Sequence, residues 1–233
     1  MKVEAHILAW NEAETIHLTI KHYQQFCSRI IIYDNFSTDN TWEIAESLGC
    51  EVKPFGIAGV LDDKEYLKIK NHCWKGSDAD WVIVCDADEI FLPPSLWNTD
   101  VTIYKTYGWN IFSEKAPRET WMEITTGIHD PNYSKLVCFN PNEIKEINYV
   151  YGCHEANPVG NISYSNGSFP LFHYKHIGGA ERLAKRHAMY AERLSDNNKR
   201  WKLGHQYQEP REQTIKYFNE CLKKSVPFSQ AGF

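Results

Sequence analysis

Four strand-like runs punctuate the first ninety residues: VEAHILA (3–9), the β-branched RIIIYD (29–34), CEVKPF (50–55) and WVIVCD (81–86). Between them lie segments with helical character. EAETIHLTIKHYQQF (12–26) sets Ile16, Ile20 and Tyr23 on one stripe, and TDNTWEIAESLG (38–49) opens with capping residues and closes on glycine. A third helix is expected over 63–76, carrying Tyr66, Leu67, Ile69, Lys70, Cys73 and Trp74. Repeated strand–helix alternation leaves few solutions. Strands joined by helical crossovers run parallel in one sheet, and the helices cover its faces. The fold class is therefore α/β, with a mostly parallel central sheet flanked by helices.

After Pro93-Pro94 the pattern changes. Residues 101–175 carry short alternating runs (VTIYKTYGWNIF, KLVCFN, IKEINYVYG) split by Gly, Pro and Asn, which predict antiparallel strands and long loops. Residues 180–195 and 211–224 read as helices, with SDNNKRWKLGHQYQEP between them as a polar loop. No repeat, low-complexity tract or linker appears. The expectation is one domain over 1–233, with a ligand-binding half at 1–92 and a second half at 93–233.

Composition narrows the function. A formal net charge of −5 argues against nucleic-acid binding, which needs a basic face. Seven scattered cysteines without a CxxC pair fit a reducing compartment better than a disulfide framework. The start, MKVEAHILAW, is not a signal peptide, and no apolar segment approaches the roughly 20 residues of a membrane span. The chain reads as cytoplasmic, with a peripheral position at the inner face of a membrane left open.

In parallel α/β sheets ligands bind beyond the carboxyl ends of the strands. Three strand ends here are polar: AWNEAE after the first, YDNFSTDNT after the second and CDADE after the fourth. Trp10, Asn11 and Glu12 offer an aromatic face, an amide and a carboxylate at this edge. Asp86 and Asp88, two residues apart, point the same way in extended geometry, and such hard oxygen ligands suit Mg²⁺ or Mn²⁺. Glu89 should point away from them and brace the loop. YDNFSTDNT lacks the glycines of a dinucleotide fingerprint; Asp34 and Asn35 suit a base or ribose edge, and Ser37, Asp39 and Thr41 suit a turn and helix cap.

Together, AWNEAE, IIIYDNFSTDNT, KIKNHCW and WVIVCDADEIF resemble family 2-type glycosyltransferases of the GT-A fold, which is Rossmann-like, in the branch with DNxSTDxT and DADE. The likeness returns in GCHE (152–155) and LFHYKHIGGAERLAKRHAMYAERLSDNN (171–198). It implies that Asp34 and Asn35 contact the nucleotide base and ribose and that Lys70 and Asn71 lie near the nucleotide. It also implies that Asp86 and Asp88 form the DxD motif with Asp88 the direct metal ligand, and that His173 completes the Mn²⁺ or Mg²⁺ site. Many relatives have two aspartates where Asp34-Asn35 stands, so the donor is left as UDP- or GDP-type. The reaction implied is transfer of a sugar from a nucleotide-diphosphate sugar to a glycan or other hydroxyl acceptor, with inversion, in polysaccharide biosynthesis.

The chemistry fits the residues. Sugar transfer leaves charge on the departing diphosphate, which a divalent cation stabilises. Residues 173–205 carry eight Lys or Arg against three acids; most suit a solvated helix face, whereas Lys175 and Arg182 flank the histidines and suit the diphosphate. His154 and His176 are weaker metal candidates than His173, and Cys153 lacks a partner at zinc spacing. The base needed by an inverting enzyme carries no motif; of Glu114, Glu119, Glu123, Asp130 and Glu155, the last two are preferred. Tyr107, Trp109, Trp121 and Tyr133 suit either sugar stacking or the core. Two other classes compete: a nucleotide-sugar-binding module without activity, and a haloacid-dehalogenase-like phosphatase, whose aspartate loop VIVCDADEIF superficially matches.

Overall fold

A computed structural model describes residues 1–228; positions 229–233, the end of the half read as 93–233, lie outside the described residues. In chain order the elements are β1 (Val3–Ala9), α1 (Ile16–Tyr23), β2 (Arg29–Asp34), α2 (Thr41–Ser47), β3 (Glu51–Pro54), α3 (Asp63–His72), β4 (Trp81–Asp86), β5 (Glu89–Phe91) and β6 (Ile103–Ser113). There follow β7 (Thr126–His129), β8 (Cys138–Phe139), β9 (Ile144–Glu146), β10 (Val159–Gly160), β11 (Tyr164–Ile177), α4 (Ala180–Arg193), α5 (Asp196–Trp201), α6 (Arg211–Lys224) and β12 (Val226–Pro227).

The predicted βαβαβαβ unit is present. β3, β2, β1 and β4 lie side by side and parallel, with Leu8 level with both Tyr33 and Asp86. Every residue of β1 is buried, and Arg29 alone of β2 is exposed, as expected of central strands covered on both faces. α1 buries Ile16, Leu18, Ile20 and Tyr23 against this sheet. The helix α2 stops before Gly49, whose φ of +81° suits the left-handed turn that ends a helix. In α3 the buried residue is Lys70, a charge that needs a partner on the sheet.

The second half extends the same sheet. β8 joins β4 antiparallel, β6 follows, and β7 and β12 form the edge beyond it. Here the structure departs from expectation, because β6 and β11 are long and run parallel to each other. β11 follows one edge of β6 along its length, while β8 and β7 share the other edge at Ile103–Tyr104 and Trp109–Asn110. Strands of 11 and 14 residues were read as short because Gly108, Gly167 and Pro170 interrupt their patterns. β5 pairs antiparallel with β11, placing His173 beside Glu89. One sheet thus passes through both halves. Leu183 of α4 and Phe218 of α6 pack on Phe112 of β6.

The segment after α4 is not wholly loop. Ser195 caps α5 by accepting from the Asn198 amide at 3.0 Å, and the buried Asn198 side chain accepts from the Asp63 amide at 2.9 Å. These polar residues tie α5 to the start of α3, a role that hydropathy does not register. No helix among the described residues is long and apolar enough to cross a membrane.

Candidate active site

The turn after β4 is pinned at Ala87. Its amide donates to the Leu8 carbonyl at 2.8 Å, and its own carbonyl accepts from Thr19 Oγ1 at 2.6 Å. Three carboxylates leave this turn in different directions. Glu89 folds back beneath it, accepting from the Asp86 amide at 2.9 Å and from Lys135 Nζ at 2.5 Å. Burial by itself would raise the Glu89 pKa, but Lys135 and Lys70 outweigh it and hold the carboxyl well below the usual range. Its bracing role is thus the one expected.

Asp86 faces the cleft but is already engaged. Lys70 Nζ lies 2.7 Å from its Oδ2, and Lys135 Nζ lies 3.9 Å away. Burial opposes the Lys70 charge, and Asp86 more than restores it, so the ammonium persists far from bulk solvent.

Asp88 has no such partner. Among the described residues no hydrogen-bond donor reaches its side chain, and His173 Nε2 lies 3.6 Å from its Oδ2. Burial, then the Asp86 and Glu89 carboxylates, push its pKa up to about 6. His173 is buried, and its pKa is pushed down to about 3 by desolvation, so the ring is neutral. Its Nδ1 lies 3.0 Å from Asn110 Oδ1, and its ring stacks on Tyr133 at 4.7 Å between centroids.

Asp86, Asp88, Lys70, Lys135, Tyr133 and His173 line a cavity of about 230 Å³ at the carboxyl ends of β1 and β4. Trp10 and Glu12 enter from the end of β1, Tyr66 and Lys70 from α3, Lys175 from β11 and Tyr190 from α4. Tyr207, in the 3₁₀ turn His205–Gln208, also lines it and accepts from Lys175 Nζ at 2.8 Å. Arg186 forms a two-pronged pair with the buried Glu12, one prong at 3.3 Å. Burial raises the Glu12 pKa, and Arg186 opposes that rise. Arg193 lies flat on Trp10, its guanidinium carbon 3.6 Å from the ring centre, a cation–π contact in a desolvated setting.

Of the residues selected from sequence, Trp10, Glu12, Lys70, Asp86, Asp88, His173 and Lys175 meet in this cavity. The others are used elsewhere. Asp34 is buried in a turn, accepting from the Ser37 amide at 2.8 Å and from its hydroxyl at 2.5 Å. Asn35 donates to the Phe55 carbonyl at 2.9 Å and accepts from Arg193 and from Tyr66. Asn11, at φ +50°, accepts from the Thr38 amide at 2.7 Å and so links two strand-end loops. Asn71 clamps the main chain of Tyr149 through both its amide groups. Arg182 bonds Glu14 at 2.9 Å and the Ile177 carbonyl at 3.2 Å.

Neither candidate base lines the cleft. Glu155 is exposed, and Asp130 caps the 3₁₀ turn Pro131–Tyr133 while accepting from Asn110 Nδ2 at 3.1 Å. His154 does line the cleft, with Nδ1 2.5 Å from the Asn132 carbonyl, and His176 stacks on Phe112 at 4.4 Å.

Sequence reasoning missed Lys135, Arg186, Tyr190, Arg193 and Tyr207. Arg186, Tyr190 and Arg193 recur at i, i+4 and i+7 on α4, so a helical stripe was the available signal. It was hidden because cations at this spacing usually mark a solvated face. Lys135 stands alone in SKLVCFN and offered no signal.

A divalent cation can be tested against these side chains. Among the described residues no three His, Cys, Asp or Glu side chains converge as a ready-made metal cage. Asp88 and His173 instead supply two, a hard oxygen and an imidazole nitrogen 3.6 Å apart. That set fits Mn²⁺ or Mg²⁺ held partly by the protein and otherwise by substrate phosphate and water.

Comparison with known proteins finds similarity over part of the chain. Residues 5–98 match the family model "Glycosyl transferase family 2". An uncharacterized glycosyltransferase of Rickettsia bellii is 34% identical over 90 residues, which is 38% of this chain and 28% of that protein. One of Rickettsia felis is 35% identical over 91 residues, covering 38% of this chain and 29% of its own. The match thus spans under a third of the length of these relatives. Among solved structures, glucosyl-3-phosphoglycerate synthase from Mycobacterium tuberculosis, in complex with Mn²⁺, UDP and glucosyl-3-phosphoglycerate, shows 17% identity and a TM-score of 0.34. That similarity covers 46% of this chain and 44% of the other. Mannosyl-3-phosphoglycerate synthase from Rubrobacter xylanophilus shows 19% identity and a TM-score of 0.34, over 49% and 41% of the two chains. Likeness at that level transfers no ligand or substrate. The stretch from residue 5 to residue 98, which delivers both aspartates of the cleft, is thus the part of the chain that is similar to glycosyl transferase family 2.

Proposed function

We propose that the protein is a metal-dependent glycosyltransferase that moves a sugar from a nucleoside-diphosphate donor to a hydroxyl acceptor. The observation that carries this reading is Asp88, a half-buried carboxylate with no hydrogen-bond donor among the described residues, facing Nε2 of His173 across 3.6 Å. Burying such a charge is unfavourable unless a positive partner completes it. A bound Mn²⁺ or Mg²⁺ would be held by Asp88 and His173 and would neutralise charge on the leaving diphosphate.

The chain's own residues supply the remainder. Lys175 lines the same cleft as Asp88 and presents a permanent cation to phosphate oxygens. Asp86, neutralised by Lys70, suits polar contact with the donor better than metal ligation. Trp10, backed by Arg193, and Tyr66 offer flat surfaces for a nucleobase. Inversion, the outcome that the family resemblance implies, predicts a product of opposite anomeric configuration to the donor. All seven cysteines are free thiols, which supports a reducing, cytoplasmic setting.

Titration calorimetry with UDP and GDP, with and without Mn²⁺, tests the reading. The expected result is nucleotide binding that requires the metal and is lost in Asp88→Ala while the melting transition stays cooperative. No nucleotide binding under either condition would refute it. Donor binding without transfer or donor hydrolysis would favour a binding module instead.

A further inference from the structure

Asp130, read from sequence as a base, occupies a different position in the chemistry of the cleft. β6 and β11 set Asn110 and His173 at the same register, so their side chains meet. Asp130 Oδ1 accepts from the Asn132 amide at 3.0 Å, and its Oδ2 lies 3.1 Å from Asn110 Nδ2. A carboxylate only accepts, so the NH₂ end of Asn110 must face Asp130 and its carbonyl oxygen must face His173. That oxygen, 3.0 Å from Nδ1, also only accepts. The proton of the neutral ring is thereby fixed on Nδ1, and the lone pair of Nε2 is turned to Asp88.

The surroundings hold this chain in place. The Asp130 amide donates to the Gly108 carbonyl at 2.9 Å, and Gly108 donates to Ser134 Oγ at 3.1 Å. A Cβ at Gly108 would lie 2.4 Å from the Tyr133 carbonyl carbon, so only glycine lets this turn rest against β6. Tyr133, carried by the same turn, covers the face of His173.

We infer that Asp130 and Asn110 are positioning residues, a two-step relay that locks His173 in its Nδ1–H tautomer and presents Nε2, beside Asp88, to a divalent cation. The inference rests on the proposed function for the identity of the cation, but the tautomer exists without it. Outer partners of metal-binding histidines commonly take this role, and losing one typically costs about 10–100-fold in metal affinity or activity.

Two-bond ¹H–¹⁵N correlation spectra of the metal-free protein, with His173 assigned by comparison with His173→Gln, read the tautomer directly. Wild type is expected to show His173 protonated on Nδ1. Asp130→Asn keeps an N-cap residue of the same size but lets the Asn110 amide turn either way. It should populate the Nε2–H form and weaken Mn²⁺ binding, measured with UDP by calorimetry, by roughly 10-fold. Asn110→Leu, which removes the acceptor, should weaken it by about 10–100-fold. A wild-type ring protonated on Nε2 would overturn the inference, as would an unchanged tautomer and Mn²⁺ affinity in Asp130→Asn. Should wild type hold the Nδ1–H tautomer yet bind no Mn²⁺ with UDP, the relay stands and the metal-dependent reading of the cleft fails.

Discussion

The two sides of the turn after β4 treat buried charge in opposite ways. On the Glu89 side every carboxylate has its counter-ion: Lys135 on Glu89 and Lys70 on Asp86. On the Asp88 side the carboxylate faces a neutral imidazole and accepts no hydrogen bond among the described residues. Asp88 and Glu89 are neighbours in sequence, yet one pKa is raised to about 6 and the other is depressed. The contrast separates two uses of charge. Glu89 and Asp86 are compensated inside the fold, whereas the charge that the proposed function assigns to a cation has no counter-ion from the described residues.

The contrast can be broken at its strongest point by Lys135→Met. Glu89 would then be a buried charge without its main partner, and unfolding in urea should show a loss of about 3–5 kcal/mol. Stability unchanged within error would mean that Lys70 and the Asp86 amide suffice, and the architectural side would be less tightly balanced than its geometry indicates.

Asp88→Asn should act in the other direction. Because the Asp88 pKa is raised in the folded protein, the native state holds a proton that the unfolded chain lacks between about pH 4 and 6. Wild-type stability contributed by this group therefore falls as pH rises through that window. The metal-free variant should gain on wild type by on the order of 2 kcal/mol between pH 4 and pH 7, measured by urea unfolding. Glu89 has the opposite sign: its depressed pKa stabilises the fold above the unfolded value near 4.3, and this is lost as pH falls toward the folded pKa.

The smallest expected effect sharpens the boundary of the cleft. Asn71 lies one residue from Lys70, but its amide is spent on the Tyr149 main chain. Asn71→Ala should lower stability by about 1–2 kcal/mol and leave nucleotide affinity unchanged in calorimetry. A large loss of affinity with normal stability would return Asn71 to the ligand site.

The parallel core was readable because buried strands require unbroken apolar runs, and RIIIYD and WVIVCD end where their strands end. The acid pair was readable for the same reason: a strand end fixes where its next residues emerge. Glu89 was set apart by counting alternation along an extended chain, but Ala87 and Asp88 form a turn, so Asp86 and Asp88 do not share the single direction that such counting gives them. What stayed hidden depends on contacts between distant segments. Lys135 reaches Glu89 from 46 positions away, and Arg193 reaches Asn35 from 158. Asp34 and Asn35 look like ligand residues because polar side chains at strand ends serve turns and ligands alike. Only their hydrogen bonds tell the two uses apart. The parallel β6–β11 pair was obscured because glycine and proline break the alternation used to recognise strands.

The pinning of Ala87 from two sides has a consequence for how this chain can vary in length. Leu8 holds its amide and Thr19 its carbonyl, so the spacing from Trp81 to Phe91 is locked to β1 and α1. One residue inserted there would rotate Asp86 and Asp88 away from His173 and bury the wrong faces. A few residues further on, Ser95, Leu96, Asn98, Thr99 and Asp100 are exposed and outside any strand or helix. Additions can accumulate in that connection without disturbing the acids. Across related proteins, the spacing from β4 through the acid pair to β5 should be kept nearly constant, and the distance from the acid pair to the histidine should drift freely.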